Sequence, residues 1–207
     1  VVAKILLPEK EDFEEKLELT SEEIGSNALE AISKGTTDGL KLAVNVGAML
    51  LVFIALISMA NYILFKIGSW SDLNTWIIEN THYSELSMNM ILGYIGAPIV
   101  WLMGVCKEDM FLVGQLLGEK TVLNEFVAYV SLGEMKNLGL FAEEKSIIMA
   151  TYILCGFANF ASIGIQIGGI GALAPRRRSD LSKLGILALI AGTLASLFTA
   201  VIVGMIL

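Results

Sequence analysis

Histidine, cysteine and proline are scarce in this chain. It has one His, two Cys and three Pro among 207 residues. The Cys residues have no paired spacing and the His lies in a polar connector, so neither a disulfide nor a metal site is indicated. A Gly-rich phosphate loop and a Ser/His/Asp group are also missing, which argues against hydrolytic chemistry of the common kinds. The sequence is therefore unlike that of a typical soluble enzyme.

Apolar residues dominate the composition. Hydrophobic residues make up 55% of the chain, charged residues 17%, and the mean hydropathy is +0.71, whereas soluble domains carry about 25% charged residues. A membrane-spanning helix needs about 20 mostly apolar residues. Four segments reach or approach that length: Ala43–Phe65, Leu86–Val105, Ser146–Ala174 and Leu184–Leu207. The composition predicts an all-α integral membrane protein embedded in a lipid bilayer.

The charges are unevenly distributed along the chain. The net charge is −7, and most acidic residues fall between Glu9 and Glu30, which indicates a solvated loop and helix start. An acidic chain of this kind does not favour binding of nucleic acid. The basic cluster Arg176–Arg178 predicts a cytoplasmic loop, because basic residues in short loops favour that side. Working back along the spans, this loop places the connector Gly68–Glu85 outside.

The chain divides into three regions by pattern. Val1–Leu7 reads as the end of a truncated helix, so the sequence is expected to be the C-terminal portion of something longer. Ser21 is a candidate N-cap of an amphipathic surface helix, which Gly35–Gly39 is expected to break. We predict three regions: residues 1–40 (helix end, acidic loop and surface helix), 41–105 (scaffold transmembrane helix and tilted external helix), and 106–207 (half of a transport domain).

Two segments depart from simple spans. Asp109–Leu132 is interrupted at Gly118-Glu119-Lys120 and is too short to cross twice, so it predicts a re-entrant helical hairpin that enters from outside. Leu86–Val105 would then begin and end outside, tilted and bent at Pro98. Ser146–Ala174 carries glycines and polar residues near its middle, which is typical of the broken helices of secondary transporters. Close helix packing explains its glycines equally well.

Three polar residues stand out within the apolar runs. Glu125 lies in the run Thr121–Tyr129, although a carboxylate at membrane depth costs roughly 2.5–3.5 kcal/mol. Asn159 and Ser162, three residues apart, share a helix face. A carboxylate, an amide and a hydroxyl suit a neutral polyol better than a phosphate. The alternative for Glu125 is a satisfied intramembrane hydrogen bond or a pairing with Lys120.

These motifs carry a family resemblance. The runs Gly118–Tyr129, Cys155–Gly164 and Ala174–Asp180 resemble the C-terminal half of the concentrative nucleoside transporters. The resemblance implies a symporter that is driven by Na⁺ or H⁺, contains no cofactor and assembles as a homotrimer, with Ala43–Phe65 in the trimer contact. A bacterial inner membrane is the expected location. The coupling-ion site is expected outside this chain, in an N-terminal half that must act as its partner.

The resemblance also implies roles for single residues. Glu125, Asn159 and Ser162 would hold the ribose, Phe157 would lie beside the base, and Asn124 belongs to the same substrate-binding motif. A Phe in an apolar helix is also consistent with plain core packing. The family's base-reading Gly-x-Thr-Glu motif is not in this sequence, so neither the base preference nor the coupling ion follows from it. The alternative function is a non-transporting membrane subunit, or an inactive fragment with a packing role.

Overall fold

All regular structure in the described part of the chain is helical, which confirms the predicted all-α class. The computed structural model describes residues 1–8, 27–81 and 83–207. The predicted cap at Ser21 and the lone His82 lie outside these ranges. The helices are α1 (Val2–Leu6), α2 (Ala28–Trp70), α3 (Leu73–Asn80), α4 (Met88–Leu102), α5 (Met110–Val122), α6 (Glu125–Asn137), α7 (Glu144–Leu154), α8 (Phe160–Leu173) and α9 (Arg178–Ile206), with a 3-10 turn at Pro175–Arg177.

Two of the described helices are long and apolar enough to cross a membrane. One is α2, with 43 residues, and the other covers 32 residues from Pro175 to Ile206. They contain the predicted span Ala43–Phe65 and all but the last residue of the predicted span Leu184–Leu207. At 1.5 Å per residue, α2 is about 65 Å long, roughly twice the 30 Å thickness of the hydrocarbon core. A large part of α2 must therefore extend beyond the hydrocarbon or run strongly tilted.

The predicted break at Gly35–Gly39 is wrong, because α2 continues through it. The hydroxyls of Thr36 and Thr37 each donate to the carbonyl four residues earlier, at 2.8 and 3.0 Å, so the helix satisfies them internally. The described start of α2 is capped by Asn27, whose side-chain oxygen accepts from the backbone N–H of Glu30 at 2.9 Å. The surface helix and the first span are thus one element.

Helix α4 packs antiparallel along α5 with almost no side chain between the two backbones. A Cβ at Gly114 would lie 2.6 Å from the carbonyl oxygen of Gly93, and one at Gly118 would lie 2.7 Å from that of Asn89. Only glycine permits this approach, as in other closely packed membrane helices. Helix α4 also continues through Pro98, and α3 lies within the predicted connector Gly68–Glu85.

The turn after α5 lies later than predicted. We expected the interruption at Gly118-Glu119-Lys120, but α5 passes through these residues and ends at Val122, and α6 begins at Glu125. The physical reason is that Gly118 makes room for α4 and is not a turn glycine. Lys120 therefore lies in the last turn of a helix and not at a loop tip.

A cluster of buried apolar residues lies where α4, α5, α6, α7 and α9 meet. Both breaks that carry predicted site residues directly follow helices of this core: Leu123-Asn124 follows α5, and Cys155–Asn159 follows α7. The positions of the polar residues are thus set by buried helices. The core includes Val113, Leu116, Ala128, Leu132, Met149, Ile153, Leu154, Leu197 and Ala200.

Candidate functional site

Asn124 fixes the start of α6. Its backbone is extended and its side-chain oxygen accepts from the backbone N–H of Val127 at 2.9 Å, the geometry of a helix N-cap. The next residue, Glu125, therefore occupies the first helical position, where the positive end of the helix dipole favours a carboxylate. The capping side chain of Asn124 thus positions Glu125.

Asn159 has the same role at the start of α8. Its side-chain oxygen accepts both the backbone N–H of Ser162 at 2.7 Å and the Ser162 hydroxyl at 2.8 Å. The two side chains are almost fully buried, with 1% and 6% of their surface exposed. The Ser162 hydroxyl is therefore held beside the amide. Because it donates to Asn159, its oxygen lone pairs are not used in that contact.

The two capped helix starts are joined by a hydrogen bond. The amide nitrogen of Asn159 donates to Oε2 of Glu125 at 2.9 Å, although the residues are 34 positions apart in the sequence. Glu125, Asn159 and Ser162 therefore form one continuous polar chain, in agreement with the family resemblance. Glu125 is only partly buried, so a ligand can reach its carboxylate.

A cavity of about 410 Å³ lies between α8 and α9 beside this polar chain. Asn159, Ser162 and Phe157 line the cavity. Glu125 is not among the lining residues but is hydrogen-bonded to Asn159, which is. Phe157 is 57% exposed and stands in the loop before α8, which is not where a core residue lies. Sequence reasoning missed Gln166, which also lines the cavity one turn after Ser162; the 159, 162, 166 spacing on one helix face was the available signal.

Lys120 does not pair with Glu125. Its ammonium donates to the carbonyl of Ile153 at 2.8 Å and to the hydroxyl of Ser196 at 3.1 Å, and within the described ranges no ion pair of 4 Å or less includes it. The other alternative for Glu125 is a satisfied hydrogen bond, and the structure does contain one, from the amide of Asn159. That bond uses one carboxylate oxygen and leaves the group able to accept further donors.

A second polar cluster joins the loops before α5 and α7. Asp109, 1% exposed, accepts from the backbone N–H groups of Ala142 at 2.8 Å and Glu143 at 3.1 Å, and the thiol of Cys106 donates to it at 3.2 Å. Burial alone would raise the pKa of Asp109, but these hydrogen bonds and one from Ser146 together hold that pKa below its usual value. This cluster anchors the start of α5 to the start of α7.

Comparison with known families gives a match over nearly the whole chain. Residues 1–204 match the family described as "Na+ dependent nucleoside transporter C-terminus". The chain is 41% identical over 208 residues to the uncharacterized transporter YutK of Bacillus subtilis, covering 99% of this chain and 48% of that protein. It is 37% identical over 219 residues to the sodium/nucleoside cotransporter 1 of Rattus norvegicus, covering 98% of this chain and 32% of that protein.

A solved structure has the same fold. A variant of CNTnw in an outward-facing state aligns with a TM-score of 0.83 and 35% identity, covering 99% of this chain and 46% of that one. The chain spans about half the length of the bacterial relatives it matches, YutK included. The similarity thus extends from one end of this chain to the other but covers only part of each relative.

Proposed function

The chain belongs to the concentrative nucleoside transporter family, whose members are transporters and not enzymes, and we propose that it supplies the ribose-binding half of a cation-coupled nucleoside symporter. Membership makes it a membrane protein, in keeping with its two long apolar helices. The other half of the pocket, with the base-reading residues and the site for Na⁺ or H⁺, belongs to an N-terminal half like that of its relatives.

The observation that carries this proposal is the bond between Glu125 and Asn159. It brings a carboxylate, an amide and a hydroxyl to one point at the start of two helices. Adjacent hydroxyls of a ribose can each donate to the carboxylate, and one of them can accept from the amide N–H of Asn159 that is not bonded to Glu125. Phe157 lies beside the base and Asn124 holds Glu125 in place. Without a basic side chain bonded to Glu125, the pocket suits a neutral sugar better than a phosphate.

The same proposal gives the helices their places in the membrane. Helices α5 and α6 form the re-entrant hairpin, and α7 and α8 form the broken helix, so residues 106–207 are half of the transport domain. Residues 1–40 form the surface region and residues 41–105 the scaffold. The exposed apolar side chains of Ala43–Phe65 in α2 form the contact of a homotrimer in a bacterial inner membrane.

Uptake of radiolabelled uridine by the complete transporter tests the proposal. Asn159→Ala removes the amide that joins Glu125 to Ser162, so uptake at low uridine concentration should be lost while the protein still reaches the membrane. The matched control is Asn137→Ala, because Asn137 is exposed at the end of α6. Normal uptake by Asn159→Ala would contradict the proposal. A complete protein that binds no nucleoside, with the variant changing only assembly, would favour the non-transporting subunit.

A further inference from the structure

Lys120 is the largest side chain with no exposed surface in the described part of the chain. A buried ammonium is costly unless several acceptors surround it. The buried residues near it along α5, such as Leu116, Leu117 and Val122, are all apolar. The proposed ribose contacts do not include Lys120, so its presence at this buried position calls for a physical reason.

The two acceptors of Lys120 come from different helices. The carbonyl of Ile153 lies in the last turn of α7, where carbonyl groups lack helical partners and the dipole is negative. The hydroxyl of Ser196 in α9 donates its own hydrogen to the carbonyl of Thr193 at 2.9 Å, so its lone pairs face the ammonium. Lys120 thus joins α5, α7 and α9 at one point.

The loop that leads to Asn159 also packs on this ammonium. A Cβ at Gly156 would lie 2.8 Å from the Cβ of Ser196 and 3.3 Å from the Lys120 nitrogen, so only glycine fits there. Asn159 follows Gly156 by three residues, and Glu125 follows Lys120 by five. The ammonium therefore lies close to the start of both short segments that lead to the Glu125–Asn159 bond.

We infer that Lys120 is a positioning residue whose ammonium, as a fixed cation at the end of α7, sets the separation of Glu125 and Asn159 and thereby the recognition of ribose hydroxyls. This rests on the proposed function. In secondary transporters, half-helix C-terminal ends coordinate bound cations. Here the side chain of Lys120 supplies the cation at the end of α7.

The test measures KM for uridine and for 3′-deoxyuridine in the complete transporter carrying Lys120→Met. This change keeps the apolar stem and removes the ammonium. The KM for uridine should rise about tenfold, on the order of one lost buried hydrogen bond. The KM for the deoxy analogue should rise less. The ratio of the KM for 3′-deoxyuridine to the KM for uridine should therefore fall by about threefold. Lys136→Met, an exposed lysine of α6, should leave both values unchanged.

A purely structural role for Lys120 gives a different result. Fewer folded transporters would lower the maximal rate, but the KM for uridine and the ratio of KM values would stay as in the wild type, which would overturn the inference. Wild-type protein that takes up no uridine would instead refute the proposed function. Uptake that depends on Asn159 together with unchanged kinetics in Lys120→Met would refute only the inference.

Ser196→Ala covers the case in which Lys120→Met does not fold. It keeps the ammonium and removes one of its two acceptors, so the KM for uridine should rise about twofold to threefold and the ratio of KM values should fall in the same direction. The control is Ser179→Ala, at an exposed position of α9. If Ser196→Ala has wild-type KM values for both substrates, the inference is wrong, whether or not the Lys120 variant folds.

Discussion

Replacing the carboxylate of Glu125 by an amide should weaken nucleoside binding without unfolding the protein. In Glu125→Gln, one terminal oxygen can still accept from Asn159, as Oε2 does now at 2.9 Å. The other terminal atom becomes a donor, and the charge is lost. Charge-assisted bonds contribute about 1.5–3 kcal/mol and neutral ones about 0.5–1.5 kcal/mol, so each ribose hydroxyl loses about 1 kcal/mol. Two hydroxyls lose about 2 kcal/mol, roughly a thirtyfold rise in Kd.

The assay is direct binding of uridine to the purified complete transporter by titration calorimetry. Binding is preferable to uptake, because uptake also depends on the rate of the conformational change. The matched control is Glu134→Gln, which makes the same chemical change on an exposed face of the same helix. Its Kd should equal that of the wild type.

Two results would refute this reasoning. One is a Kd for Glu125→Gln within about threefold of the wild type, which is less than the loss of a single charge-assisted bond would cause. The other is an equal loss of affinity for uridine and for 2′,3′-dideoxyuridine. An analogue without the two hydroxyls cannot bond to the carboxylate, so an equal loss would place Glu125 away from the ribose.

Two further variants test the supports of the site. Asn124→Ala removes the bond to the Val127 backbone N–H and should destabilise the start of α6 by about 1 kcal/mol, seen as a lower Tm and weaker uridine binding. Burial would raise the pKa of Asp109, but hydrogen bonds that include the Ala142 and Glu143 N–H groups hold its folded pKa below the ordinary value. The carboxylate therefore stabilises the folded protein above the unfolded pKa of about 3.9, and this stabilisation is lost as pH falls through the folded pKa. Asp109→Asn should therefore lower Tm at pH 7, and the difference from the wild type should shrink at pH 3; a constant difference would count against this assignment.

The polar residues of the candidate site stand out in the sequence because their chemistry conflicts with their surroundings. A carboxylate and an Asn-x-x-Ser pattern within apolar runs are costly in a membrane, and the sequence shows both directly. Their meeting could not be derived from spacing, because Glu125 and Asn159 are 34 positions apart. It came instead from the family resemblance, and the hydrogen bond between them agrees with it.

Glycine was the main source of error. The pattern at Gly35–Gly39 resembles a helix break, and Gly118 beside two charged residues resembles a turn. In both places the helix continues: threonine hydroxyls bond within α2, and Gly118 admits the backbone of α4. A packing glycine and a turn glycine look alike in a single sequence, because the difference lies in a neighbour that is distant along the chain. The buried contacts of Lys120 were unpredictable for the same reason.

The arrangement explains how Glu125 can remain at the candidate site without a basic side chain bonded to it. It occupies the first position of α6 and accepts from the capping residue of α8, so two helix N-termini meet at one carboxylate. Each N-terminus carries roughly half a positive charge, and together they offset the carboxylate by fixed dipoles. A lysine bonded to Glu125 would occupy lone pairs that, in the proposed site, accept from the ribose hydroxyls. Because the ammonium of Lys120 is held instead by Ile153 and Ser196, the carboxylate keeps lone pairs for the proposed contact with the sugar.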